Sequence, residues 1–197
     1  MKNRRALAFG LISIFLSISQ IRVLAQEKFL MVLDIQEQFI KSKSYESSAT
    51  TMINNVNDLI SKFSQDKIIY IKSTGKILVV SSKGFSTDTM PTPDFDPKLN
   101  IVNDNIFLKV STGNAFNSES LIDFLKIKAV KDIVIVGLLA EKCIYQTALG
   151  GKASGYNIYV VPEAITGKSV KSKSKVIAKL QKKGIKIISS KELIDVP

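Results

Sequence analysis

From Phe29 onward, short and nearly continuous apolar runs alternate with stretches whose apolar residues recur every three or four positions. A run such as "FLMVLDI" (29–35) or "DIVIVGL" (132–138) has no polar face. It therefore suits a strand covered on both sides, and helix-flanked parallel sheets provide that environment. "KIIYIKS" (67–73), "NIFLKV" (105–110), "NIYVVPEAI" (157–165) and "IKIISS" (185–190) have the same character. The order strand, helix, strand repeated along one chain predicts a single α/β domain with a mostly parallel six-stranded sheet, over residues 26–197.

Between the strands, Met52, Ile53, Val56, Leu59, Ile60 and Phe63 give one helix an apolar face. Asn117 or Ser118 is placed to cap a second helix, whose Leu121, Phe124 and Leu125 face inward. Gly155 and Gly184 are placed to end two more. "KILVVSS" (76–82) reads as a short edge strand or hairpin arm. The segment 83–100, with three prolines and many turn formers, reads as a long surface loop.

Residues 1–25 are set apart from the fold. A basic start, "MKNRR", precedes the apolar "ALAFGLISIFLSIS", which is short for a bilayer span, and "VLA" before Gln26 supplies a cleavage site. This is the pattern of a secretory signal, and it predicts a secreted or periplasmic protein with no stable membrane insertion after cleavage. The segment holds four basic residues and no acid, so its removal lowers the net charge from +11 to +7. Much of the remaining charge lies in "GKSVKSKSKVIAKLQKKGIKIISSK", where Val176, Ile177 and Leu180 form an apolar stripe and no aromatic is present to stack on bases. The lysines are expected to be a solvated helix face and not a nucleic-acid site.

The chain has no histidine. That excludes a Ser-His-Asp triad, a Cys-His dyad and any metal centre built on imidazole. In an open parallel sheet ligands sit beyond the carboxyl ends of the strands. Three chemically useful residues finish or follow strands there: Asp34, Lys109 and Cys143, the only cysteine. A helix start at Cys143, beside Lys142, is expected to favour the thiolate, with Glu141 opposing it. Backbone N–H groups near Leu139 and Cys143 are placed to hold an oxyanion. Asp34 is then the candidate for accepting the thiol proton and returning it to a leaving amine. Each residue also has a plain reading, as a turn cap, a strand-end lysine and a packed thiol.

Three ordered motifs resemble the isochorismatase-like cysteine hydrolase superfamily over essentially the whole chain after Phe29. "VLDIQEQF" is similar to the opening strand with its catalytic aspartate, here Asp34, followed by Gln36. "FLKVSTGNAF" is similar to the catalytic-lysine segment, here Lys109, trailed by Phe116. "VIVGLLAEKCIYQTALGG" is similar to the nucleophile segment, here Cys143, followed by Thr147 and Ala148. The resemblance implies a Rossmann-like three-layer α/β/α fold and a thioester mechanism. It also implies catalytic Asp34, Lys109 and Cys143, an oxyanion hole at Leu139 and Cys143, substrate contacts from Gln36 and Phe116, and a cis peptide between Leu138 and Leu139. The expected substrate is a small amide, with no cofactor, no metal, and homo-oligomers as in relatives. Two departures stand out. Metal-binding relatives use histidines that this chain lacks, and "LAEKC" replaces the usual Ala-Thr-Asp-x-Cys, which keeps open a non-catalytic binding protein of the same fold.

Overall fold

The computed structural model describes residues 28–41, 46–82 and 84–194. Residues 1–25, the expected signal segment, lie outside them. Among the described residues no helix is long and apolar enough to cross a membrane.

Among the described residues there are eight strands: β1 (Lys28–Leu33), β2 (Ile68–Thr74), β3 (Lys76–Ser81), β4 (Gly84–Thr89), β5 (Ile106–Val110), β6 (Asp132–Gly137), β7 (Asn157–Ile165) and β8 (Lys186–Ile187). Six of them form one sheet in the order β5-β2-β1-β6-β7-β8, and every ladder in it is parallel. The order reverses between β1 and β6, where β1 has the first half of the chain on one side and the second half on the other. That crevice, at the carboxyl ends, is where a parallel α/β sheet binds ligands.

The helices are α1 (Glu37–Ile40), α2 (Glu46–Ile60), α3 (Glu119–Ile127), α4 (Tyr145–Ala153), α5 (Val170–Lys182) and α6 (Ser190–Ile194). They cover both faces. Leu30 and Val32 of β1 join Val134 and Val136 of β6 under α2. Phe29, Met31 and Leu33 join Ile133 and Ile135 under α3, α4 and α5. The uninterrupted apolar runs thus feed two cores, one on each side of the pleat.

Gly137 ends β6 at φ 111, and a Cβ there would lie 2.1 Å from the carbonyl oxygen of Leu33. Only glycine lets β6 pass β1 so closely just ahead of the nucleophile turn. Gly155, at φ 89, follows α4 as the expected helix stop, and Gly184, at φ 75, follows α5.

The expected surface loop is the main departure. Its first part, "GFSTDT", is β4, which pairs antiparallel with β3 to make a separate two-stranded hairpin. The turn-forming residues of this stretch hide a strand because its side chains are all exposed and carry no core pattern. The second helix is also capped differently. Ser118 holds the N-cap position without a capping hydrogen bond, its hydroxyl pairing with that of Ser120 at 3.2 Å, and Asn114 caps the short turn before it by accepting from the Phe116 N–H.

Gly137→Ala is expected to lower the urea unfolding free energy by at least ~2 kcal/mol, since both φ and the approach to Leu33 must change. A midpoint equal to that of the unsubstituted protein would contradict the close crossing of β1 and β6.

Candidate active site

Asp34 follows β1 directly, is 2% exposed, and sits at φ 58, in the left-handed region that side-chain-bearing residues seldom adopt. Its N–H donates to the carbonyl of Ile71 on β2, which pins the backbone and turns the carboxylate into the crevice. Lys109, the fourth residue of β5, pairs in register with Ser73 of β2 and is 1% exposed. A lysine so buried needs partners for its charge. Its Nζ donates to Asp34 Oδ2 at 2.8 Å, to the Thr112 carbonyl at 3.3 Å, to the Ser73 hydroxyl and to Cys143 Sγ at 3.4 Å. The Ser73 hydroxyl in turn donates to Asp34 Oδ1 at 2.8 Å. The acid, the ammonium and the sulfur named from sequence therefore meet at one point.

Cys143 lies in a π-type turn, Ala140–Ile144, and α4 begins only at Tyr145. Two bonds lock this turn to the loop after β7. The Ala140 N–H donates to the Thr166 carbonyl at 2.8 Å, and Glu141 Oε1 accepts from the Lys168 N–H at 3.0 Å. The Leu138–Leu139 peptide just before it is cis, as the resemblance implied. Thr147 ties the nucleophile helix to the lysine segment: its hydroxyl donates to the Gly113 carbonyl and accepts from the Ala115 N–H, both at 3.1 Å.

The expectation of a favoured thiolate is corrected. Burial, then the negative charge of Asp34, push the Cys143 thiol up to about 11, against the downward pull of Lys109. Desolvation penalises the charged form more than one shared ammonium rewards it. At rest the sulfur carries its proton, facing a carboxylate placed to take it.

A cleft of about 550 Å³ opens over these groups. Asp34, Ser73, Leu139 and Cys143 form its floor, and Gln38, Phe39, Met90, Pro91, Thr112 and Lys142 are among its walls. Two expected contacts are absent from it. Gln36 is fully buried, and its amide is spent on backbone, donating to Ser73 O at 3.1 Å and Pro93 O at 2.8 Å while accepting from Ser73 N–H at 2.7 Å. It fixes the cleft wall and does not face a ligand. Phe116 packs against Tyr156, with ring centroids 5.3 Å apart, inside the core. Of the two loop phenylalanines, Phe95 packs on Tyr70 and Phe85 is 77% exposed. Ser73 was missed, although it too stands at a strand's carboxyl end in "KIIYIKS".

Comparison with known proteins places this geometry. A family model described as the isochorismatase domain matches residues 28–192. An uncharacterized isochorismatase family protein of Bacillus subtilis is 20% identical over 145 residues, 71% of this chain and 73% of its own. A nicotinamidase/pyrazinamidase structure from Acinetobacter baumanii superposes with a TM-score of 0.69 at 20% identity, covering 85% of this chain and 98% of the other. The pyrazinamidase of Pyrococcus horikoshii in complex with zinc superposes with a TM-score of 0.63 at 22% identity, covering 83% and 99%.

Because Asp34 is the second cause of the raised thiol, Asp34→Asn is expected to lower the pH at which iodoacetamide alkylates Cys143, even as it removes the base. An alkylation profile that stays in place, or moves to higher pH, would contradict this electrostatic reading.

Proposed function

The chain belongs to the isochorismatase family of hydrolases, and on that premise we propose that it is an exported, metal-independent cysteine hydrolase. It cleaves a small amide or related C–N bond through a thioester. The observation that carries the reading is the ammonium of Lys109, 2.8 Å from Asp34 and 3.4 Å from Cys143 beneath one open cleft.

The raised thiol defines the order of events. Asp34 removes the proton from Cys143 as the sulfur attacks the carbonyl carbon, so no free thiolate need accumulate. The carbonyl π electrons move onto oxygen, and the N–H groups of Leu139 and Cys143 are the donors assigned to that oxyanion. Asp34, now protonated, gives the proton to the leaving nitrogen as the C–N bond breaks. Water then attacks the thioester with Asp34 again as base, releasing the acid and restoring the thiol. Lys109 keeps the Asp34 side chain aimed at the sulfur during both steps, and Ser73 holds its second oxygen.

The similar pyrazinamidase is in complex with zinc, but this chain's residues do not fit such an ion. It has no imidazole anywhere, and among the described residues no group of three carboxylates or thiols is gathered to hold a metal. At the end of β2 the side chain facing Asp34 is a serine hydroxyl already engaged with a lysine. No step is therefore assigned to a metal. The walls of the cleft mix apolar Phe39, Met90 and Pro91 with Gln38 and Lys142, which suits a small, partly apolar amide. The intact convergence of three reactive groups counts against a purely binding role. Export rests on residues 1–25, and N-terminal sequencing of protein recovered outside the cytoplasm should begin at Gln26.

Cys143→Ala and Asp34→Asn are each expected to abolish turnover of a responsive small amide. Lys109→Ala should cost on the order of a hundredfold or more in rate, and about 3–5 kcal/mol of stability from the unpaired buried carboxylate. Near-normal rates in any of the three would remove the assignment. Turnover should survive exhaustive chelation; loss on chelation with recovery on adding zinc would overturn metal independence.

A further inference from the structure

The cleft occupies the carboxyl end of the sheet; the opposite end of its β1-β6-β7-β8 half has a different character. There the C-termini of α3, α4 and α5 meet the first residues of β6, β7 and β8, and each of these three helices is joined to its strand by a connection only a few residues long. This end collects Lys28, Lys128, Lys131, Lys152, Lys183 and Lys186, all exposed except the half-buried Lys28. Favourable interaction with helix C-termini accounts for about one cation per helix end, fewer than stand here.

Two of these ammonium groups are drawn together. Lys28 and Lys186 share one ring, their Nζ atoms 5.3 and 4.8 Å from the Tyr159 centroid. Lys152 donates to the Lys183 carbonyl at 2.5 Å. The acids nearby offer little neutralisation. Asp132 is half-buried and accepts from the Tyr159 hydroxyl, and Asp123 lies 4.0 Å from Lys126, one turn up α3. From Ala164 to Lys191 the sequence holds no acid at all. In the middle of this charge Ile127, flanked by Lys126 and Lys128, is 82% exposed.

The chain also enters the fold here. Lys28 is the first residue of β1. A lysine-rich face with an exposed isoleucine at its centre matches the chemistry of a bilayer surface bearing anionic headgroups. It carries no aromatic platform or groove that tracks a nucleic-acid strand. We infer that this end of the β1-β6-β7-β8 half is a docking face for an anionic membrane, which holds the protein with its cleft turned away from the lipid.

The test is sedimentation of the chain beginning at Gln26 with vesicles at about 0.1 M salt, where screening acts over about 10 Å. Vesicles of phosphatidylcholine alone set the baseline for neutral lipid, and vesicles also containing phosphatidylglycerol report the lysines. The account predicts at least about tenfold tighter binding to the anionic vesicles. That preference should be lost in Lys128→Gln/Lys131→Gln/Lys183→Gln/Lys186→Gln, with amide turnover unchanged. Lys171→Gln/Lys175→Gln, on the same α5 but toward its other end, should keep it. Equal binding to both vesicle types, retention of the preference in the fourfold variant, or equal loss in both variants would overturn the docking face. Tighter binding to duplex RNA than to anionic vesicles at the same salt would overturn it in favour of a nucleic-acid surface.

Discussion

A lysine and an aspartate, both almost wholly withdrawn from solvent, lie 2.8 Å apart between strands that are not neighbours. Lys109 on the edge strand β5 reaches across β2 to the residue that follows β1. Neither charge is tolerable there without the other, because an isolated buried ion costs several kcal/mol even after the protein relaxes. The pair is therefore satisfied only when three strands are in register, and Ser73, which sits opposite Lys109 in the β2–β5 ladder, supplies the hydroxyl that bridges them. Sheet order and site geometry are one requirement.

The same pair sets the state of the sulfur. A thiol at a helix start beside cations is usually read as activated, yet here it is buried and faces a carboxylate, and it holds its proton to about pH 11. Such a nucleophile is quiet until a substrate arrives, and its base is already in place. The cost is that attack and proton transfer must be coupled. The benefit is a lone cysteine less prone to oxidation or alkylation at rest, since both follow thiolate content.

Much of this was legible in the sequence because the physics there is local or combinatorial. Unbroken apolar runs announced the parallel sheet, the count of zero histidines removed most rival chemistries, and strand-end placement selected Asp34, Lys109 and Cys143. What was not legible depended on which way a side chain turns. Gln36 and Phe116 lie beside the site in sequence, but one amide is consumed by backbone and one ring by the core. Ser73 was invisible because a serine after "IIYIK" looks like any strand end until Lys109 is paired with it. The thiol's pKa differs from the sequence expectation for a related reason: the burial of the sulfur, and then Asp34, distant in the chain but adjacent in space, outweigh the neighbouring cations. The β4 strand was hidden because its exposed side chains carry no burial pattern.

The reactive groups and cleft lie at the carboxyl ends of the sheet, and a cluster of lysines lies at the amino ends of its strands. The account rests on Asp34 deprotonating Cys143 at the moment of attack, and intact-mass measurement of protein quenched in acid during turnover observes that step most directly. The unsubstituted enzyme should carry the substrate's acyl group on the peptide containing Cys143, and Asp34→Asn should carry none. Turnover without any acyl adduct, or an equal adduct in Asp34→Asn, would contradict it.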